Sequence, residues 1–161
     1  MAAQICEYCK HKNSGCYCSP NSTCNDYEAD VAIFDEINKY NKNLECIEAL
    51  KVFKGGDNED VPINYKSIED MKFIVQACKE NGIPQPEIFP WAGGDGVQAE
   101  WEYDWYLEID SCHKSVSILF VKGKDYDNAI STRVADIKTA FLFVKEFLNH
   151  VVDIKGMRSK L

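Results

Sequence analysis

Between Val97 and Asp110 apolar and polar residues alternate so strictly that few backbone conformations remain open to the chain. Val97, Ala99, Trp101 and Tyr103 fall on one side of the alternation, and Gln98, Glu100, Glu102 and Asp104 on the other. A period of two separates these sets onto opposite faces of a β-strand, whereas a helix would mix them around its axis. The pattern resumes with Trp105, Leu107 and Ile109 against Tyr106, Glu108 and Asp110, which requires a tight reversal or bulge near Asp104. After a turn at "SCHK", the run "SVSILFVKG" points Val116, Ile118 and Phe120 inward. Together the three runs predict an antiparallel meander with one apolar and one acidic face.

The flanking segments read differently. "IPQPEIFP" holds three prolines in eight residues, so it is an extended connector or an edge segment. "GGDG" at 93–96 lacks the Lys-Ser/Thr of a phosphate loop and precedes a strand, which makes it a turn. Upstream, "DYEADVAIFDEINKYNKN" spaces Val31, Phe34, Ile37 and Tyr40 for a helix. "LECIEALKVFK" does the same with Ile47, Leu50 and Phe53, and the pattern leaves open whether the two helices are continuous. The turn formers of "GGDNEDVPINY" end that region. Ser67 and Asp70 resemble a capping box for a helix carrying Ile68, Met71, Ile74, Val75 and Cys78, which Gly82 terminates. Ser131 or Thr132 is expected to cap a last helix with Val134, Ile137, Phe141, Val144, Leu148 and Val151 as its apolar stripe.

The expected fold class is α+β: an N-terminal zinc knuckle over 1–28, a helical middle over 29–83, and a three-stranded antiparallel meander covered by a C-terminal helix over 84–152. A basic tail, 153–161, follows. The beginning "MAAQICEY" has neither the basic nor the apolar region of a secretory signal, and no run nears the roughly 18 apolar residues of a membrane span. A soluble cytoplasmic protein is therefore expected. Charge is distributed unevenly: residues 26–110 carry 7 basic and 20 acidic side chains, whereas residues 111–161 carry 9 basic and 5 acidic. An acidic field of this kind repels nucleic acid at long range and attracts basic protein surfaces.

Five of the eight cysteines lie in the first 24 residues, within "CEYCKHKNSGCYCSPNSTC". In a reducing compartment such a cluster points to metal rather than to disulfides. Cys6 and Cys9 have the Cys-x-x-Cys spacing that offers zinc two thiolates from one turn. Cys18 and Cys24 are the favoured second pair, with Cys16 or His11 as substitutes. A ligand set made only of cysteine and histidine leaves no open position for substrate, so the Zn2+ would be structural.

Cys46 and Cys78 read as small core residues on apolar helix faces, and Cys112 beside His113 as part of a strand turn. No Asp or Asn is placed to orient His113, so no catalytic constellation is expected. Glu100, Glu102, Glu108 and Asp110 share the outer face of two paired strands, where like charges destabilise the pair. Three explanations compete. The first is a solvated face that keeps the sheet free of edge-to-edge aggregation. The second is a docking surface for an Arg/Lys-rich partner, and the third a divalent-metal site, although these strands carry no accompanying Lys or His.

The passage "PQPEIFPWAGGDGVQAEWEYDWYLEID", with its Pro-x-x-x-Pro, Gly-Gly-x-Gly-Val and Glu-Trp, resembles a sheet-and-helix module of small proteins from phages and bacterial mobile elements. The early Cys-x-x-Cys, the later pair and "CNDYE" similarly resemble the zinc knuckles that open many short phage proteins. The resemblance covers residues 84–150 and 6–28. It implies an accessory or anti-defence protein, of which anti-CRISPR inhibitors are one kind, acting by binding in the host cytoplasm, and it brings no catalytic residues. The expected function is a non-enzymatic acidic inhibitor that docks on a basic partner, a nuclease or CRISPR effector, through Glu100, Glu102, Glu108 and Asp110. The alternative is a nucleic-acid or ribonucleoprotein accessory factor whose knuckle contacts a strand through Lys10, His11, Lys12, Tyr8 and Tyr17.

Overall fold

A computed structural model describes residues 25–52, 61–91, 94–123 and 125–154, with backbone alone for 25–33 and 151–154. Its elements are α1 (Asn25–Leu50), α2 (Tyr65–Asn81), β1 (Glu87–Pro90), β2 (Val97–Glu102), β3 (Trp105–Ser111), β4 (Val116–Lys122), a 3-10 turn (Tyr126–Asn128), β5 (Ile130–Val134) and α3 (Ile137–Ile154). The architecture is α+β. The strands form a five-stranded sheet in the order β1-β2-β3-β4-β5, every neighbour antiparallel.

The expected three-stranded meander is thus extended by a strand at each edge. The proline-rich run supplies β1, which pairs Ile88 with Ala99 and Pro90 with Val97. At the opposite edge β5 pairs Ser117 with Arg133 and Ile118 with Thr132. Ser131 and Thr132 therefore belong to this strand and do not cap the helix, and Val134 ends the strand. The cap is Asp136, whose Oδ1 accepts from the Thr139 N–H at 2.8 Å. β5 eluded the periodicity because almost all of "ISTRV" is exposed, leaving no buried face to impose alternation.

Val97, Ala99, Trp101, Leu107, Ile109, Val116 and Ile118 are buried on the inner sheet face, as their alternation requires. Against them pack Ile68, Met71, Ile74 and Cys78 of α2 and Phe141, Val144 and Leu148 of α3, all in one hydrophobic cluster. Two helices, not the last one alone, cover the sheet, while α1 packs against α2 and the β1 edge. The Phe147 ring sits edge-on to Trp105 and Phe120, with centroids 5.0 and 4.8 Å away.

α1 is continuous, which resolves the question of two helices. Among its described side chains the buried ones are Asn43, Ile47 and Leu50, whereas Phe34 and Ile37 of the expected stripe are 64% and 47% exposed. The α2 boundary also shifts: Asn64 is the N-cap, its side chain accepting from the Ser67 N–H at 2.9 Å. Ser67 lies one turn inside and instead donates to the Ser111 carbonyl at 2.7 Å. Gly82, at φ 63, closes the helix as expected.

The β1–β2 connection is fixed by a close approach at Gly96. A Cβ there would meet the Ser111 carbonyl oxygen at 2.5 Å and the Trp91 ring at 3.2 Å. Because one obstacle is strand backbone, Gly96→Ala is expected to cost about 2 kcal/mol. Chemical denaturation checks this, and an unchanged midpoint would contradict the close approach.

Candidate functional site

Pairing register builds the outer face of the sheet in rows. One row runs Glu87, Glu100, Glu108 and Leu119 from β1 to β4. The next runs Phe89, Gln98, Asp110, Ser117 and Arg133 from edge to edge. A third sets Glu102 against Tyr106 and Val121. Glu100 therefore stands directly opposite Glu108, with Asp110 two residues along the same strand. The four carboxylates singled out from the sequence do share one face.

They are less exposed than a solvated face requires. Glu102 is exposed, but Glu100, Glu108 and Asp110 are half-buried. Apolar groups frame them: Val121 is fully buried on this side of the sheet, and Tyr106, Leu119 and Phe89 surround the rows. A net of polar side chains holds the carboxylates in place. Gln98 donates to Glu100 and, at 3.4 Å, to Glu108; the Tyr106 hydroxyl also donates to Glu108; and the Ser117 hydroxyl lies 3.5 Å from Asp110.

The electrostatic result is a set of reluctant acids. Burial pushes Asp110 up to about 7, helped by its hydrogen bond with the Glu108 carboxyl and by the charges of Glu108 and Glu100. Burial likewise raises Glu100, with Glu108 and Glu102 adding to the effect while Tyr106 and Gln98 oppose it. The Tyr106 hydroxyl is held protonated by burial and by donating to Glu108. Asp110 Oδ1 is buried and has no hydrogen-bond partner among the described residues.

Among the described residues, cations stand at the margins of the face. Lys39 pairs with Glu87 at 2.9 Å on the β1 edge, and Arg133 lies exposed on β5. Among the described residues no lysine or arginine makes an ion pair with Glu100, Glu102, Glu108 or Asp110. The described helices all pack on the other side of the sheet, and among the described residues the 3-10 turn leans over this one, with Tyr126 at 6.4 Å from Tyr106.

The remaining candidates separate cleanly. Cys46 is half-buried with its thiol 3.7 Å from the Ile88 carbonyl, and burial raises its pKa. Cys78 is buried in the core and is pushed up to about 12 by desolvation. Cys112 occupies the β3–β4 turn. Burial acts against its ionisation, but hydrogen bonding to Ser115 and to backbone groups leaves the thiol below its ordinary value. Its neighbour His113 is exposed, and among the described residues its ring makes no hydrogen bond. Cys6, Cys9, His11, Cys16, Cys18 and Cys24 lie outside the described residues. Among those described, no group of three or more His, Cys, Asp or Glu is arranged to hold a metal ion.

Two features escaped the alternation argument. Tyr103, assigned to the inward set, lies past the end of β2 and is 51% exposed. The Gln98–Tyr106–Ser117 net was also missed, although Gln98 and Tyr106 stand at outward positions among the acids, and a polar uncharged residue there was the available signal.

Fold and site together define an α+β protein whose five-stranded meander is covered by helices on one side and presents half-buried carboxylates on the other. No family model, curated protein or solved structure matches the chain. Among the described residues no helix is long and apolar enough to cross a membrane.

Proposed function

We propose that this chain is a non-enzymatic binding protein that docks its acidic sheet face on the basic surface of a nucleic-acid-binding protein, stoichiometrically and in the manner of a phage anti-defence inhibitor. The observation that carries the reading is the register that lines up Glu100, Glu108 and Asp110, none of them ion-paired with a described lysine or arginine, on a sheet face that no described helix covers. Carboxylates already half-desolvated and held by neighbours lose little further hydration or side-chain freedom on meeting arginine or lysine. A face serving only solubility would expose its charges fully and would not bury an acid beside two others.

Paired baits test the proposal. A host nuclease or CRISPR effector captured by the wild-type chain should be lost when Glu100→Lys and Glu108→Lys are combined, and should elute from wild type at raised salt. Equal recovery on both baits would remove this face from the function.

A structural zinc ion held by Cys6, Cys9, Cys18 and Cys24, with Cys16 or His11 as stand-ins, belongs to the same proposal and rests on their spacing. Elemental analysis of tag-free protein is expected to find zinc in stoichiometric amount, released when Cys6→Ser and Cys9→Ser are combined. Metal-free protein with intact disulfides would contradict this part.

A further inference from the structure

At the end of the β2–β3 hairpin, where the outer face meets the sheet's rim, lies a concavity of about 260 Å³. Four aromatic residues line it, Tyr103 and Trp105 from the inner-face side and Tyr106 and Tyr126 from the outer, with Glu102 beside them. Asp104, at the hairpin tip, and Gly123 complete the lining. Tyr103 and Trp105 lie 4.7 Å apart at 41°, while Tyr106 and Tyr126 lie 6.4 Å apart at 51°. Gly123 adopts φ +63 and brings no side chain to its part of the lining.

We infer that this concavity is the anchor site for one arginine side chain of the partner; the inference rests on the docking role proposed for the acidic face. Its volume is below the roughly 300 Å³ at which small-molecule pockets begin, which favours a single side chain over a cofactor. The ring faces carry negative quadrupole potential, and a cation within about 6 Å of a ring centroid is attracted to them. Carboxylates in the same lining add charge of the complementary sign. A planar guanidinium can stack on a ring while bonding a carboxylate bidentately, which a lysine ammonium cannot do. The site also adjoins the carboxylate rows: Tyr106 lines it and donates to Glu108. An aromatic-lined concavity at the end of a charged face matches the anchor-plus-steering division seen in protein interfaces.

The test uses full-length, 15N-labelled protein and two capped peptides, six arginines and six lysines. The arginine peptide is expected to bind about fivefold more tightly and to shift the Trp105 indole resonance. Tyr126→Leu should abolish that preference without unfolding the chain, since Tyr126 is 62% exposed on a 3-10 turn. Equal affinities, with shifts confined to Glu100, Glu108 and Asp110, would overturn the anchor site and leave the docking face standing. An arginine preference that survives Glu100→Lys with Glu108→Lys at unchanged affinity would support the anchor and sink the docking role. Failure of both peptides to bind would overturn both.

Discussion

Glu100→Lys combined with Glu108→Lys is expected to slow association with the captured partner about 10- to 100-fold at low salt and to flatten its salt dependence. The two glutamates stand directly opposite one another near the middle of the face, with Asp110 alongside, so their reversal changes the sign of the field where the partner approaches. Stability separates this effect from simple damage. Like charges paired across antiparallel strands destabilise the sheet by tenths of a kcal/mol, so Glu108→Gln, which keeps an acceptor for the Tyr106 hydroxyl, should leave the fold as stable or slightly more so. A variant that binds poorly while melting no lower than wild type identifies a surface retained for recognition at some expense to folding. Unchanged association rates would leave the carboxylate row without a role in docking.

Asp110→Asn should raise stability at pH 8 and leave it nearly unchanged at pH 4. Burial, assisted by Glu108 and Glu100, holds this carboxyl near 7, against about 3.9 in an unfolded chain. A folded pKa above the unfolded one means that the native state binds the proton more tightly. The associated stability is complete below about pH 4 and is lost as pH rises through about 7. Taken in full, the shift corresponds to roughly 4 kcal/mol; water reaching the half-buried group reduces this to about 1–2 kcal/mol. Groups on the surrounding strands fit this sign: Glu100 and Glu108 oppose ionisation, Ser117 assists it, and Arg133 lies at the end of the same row beyond Ser117. Denaturation of both proteins at the two pH values checks the prediction. A variant less stable at pH 8 would show that the carboxylate supports the fold.

The same titration bears on function. A cationic partner lowers the pKa of Asp110, so docking at neutral pH should release protons, and affinity should climb as pH rises through 7.

How far the sequence announced this structure depended on burial. Val97 to Ile118 alternate because one side of each strand is shielded completely, and there the inward set was read without error apart from Tyr103 at the hairpin tip. Met71, Ile74 and Cys78 were legible for the same reason in a helical period. β5 was not, since a strand exposed along nearly its whole length carries no periodic constraint. α1 misled through Phe34 and Ile37, apolar residues with helical spacing that the core does not receive. At the site, alternation placed Glu100, Glu102, Glu108 and Asp110 on one face. It did not convey that Tyr106, Leu119 and Val121 would partly desolvate them, because that depends on strand register and not on the order of residues along one strand.

Carboxyl footprinting of the complex tests the central claim most directly. Carbodiimide labelling of the full chain, with and without its captured partner, should show Glu100, Glu108 and Asp110 protected on binding while Glu69 and Glu80 of α2 label equally in both states. Labelling of the three sheet acids that does not change, with protection falling instead on the helical side, would contradict docking through this face.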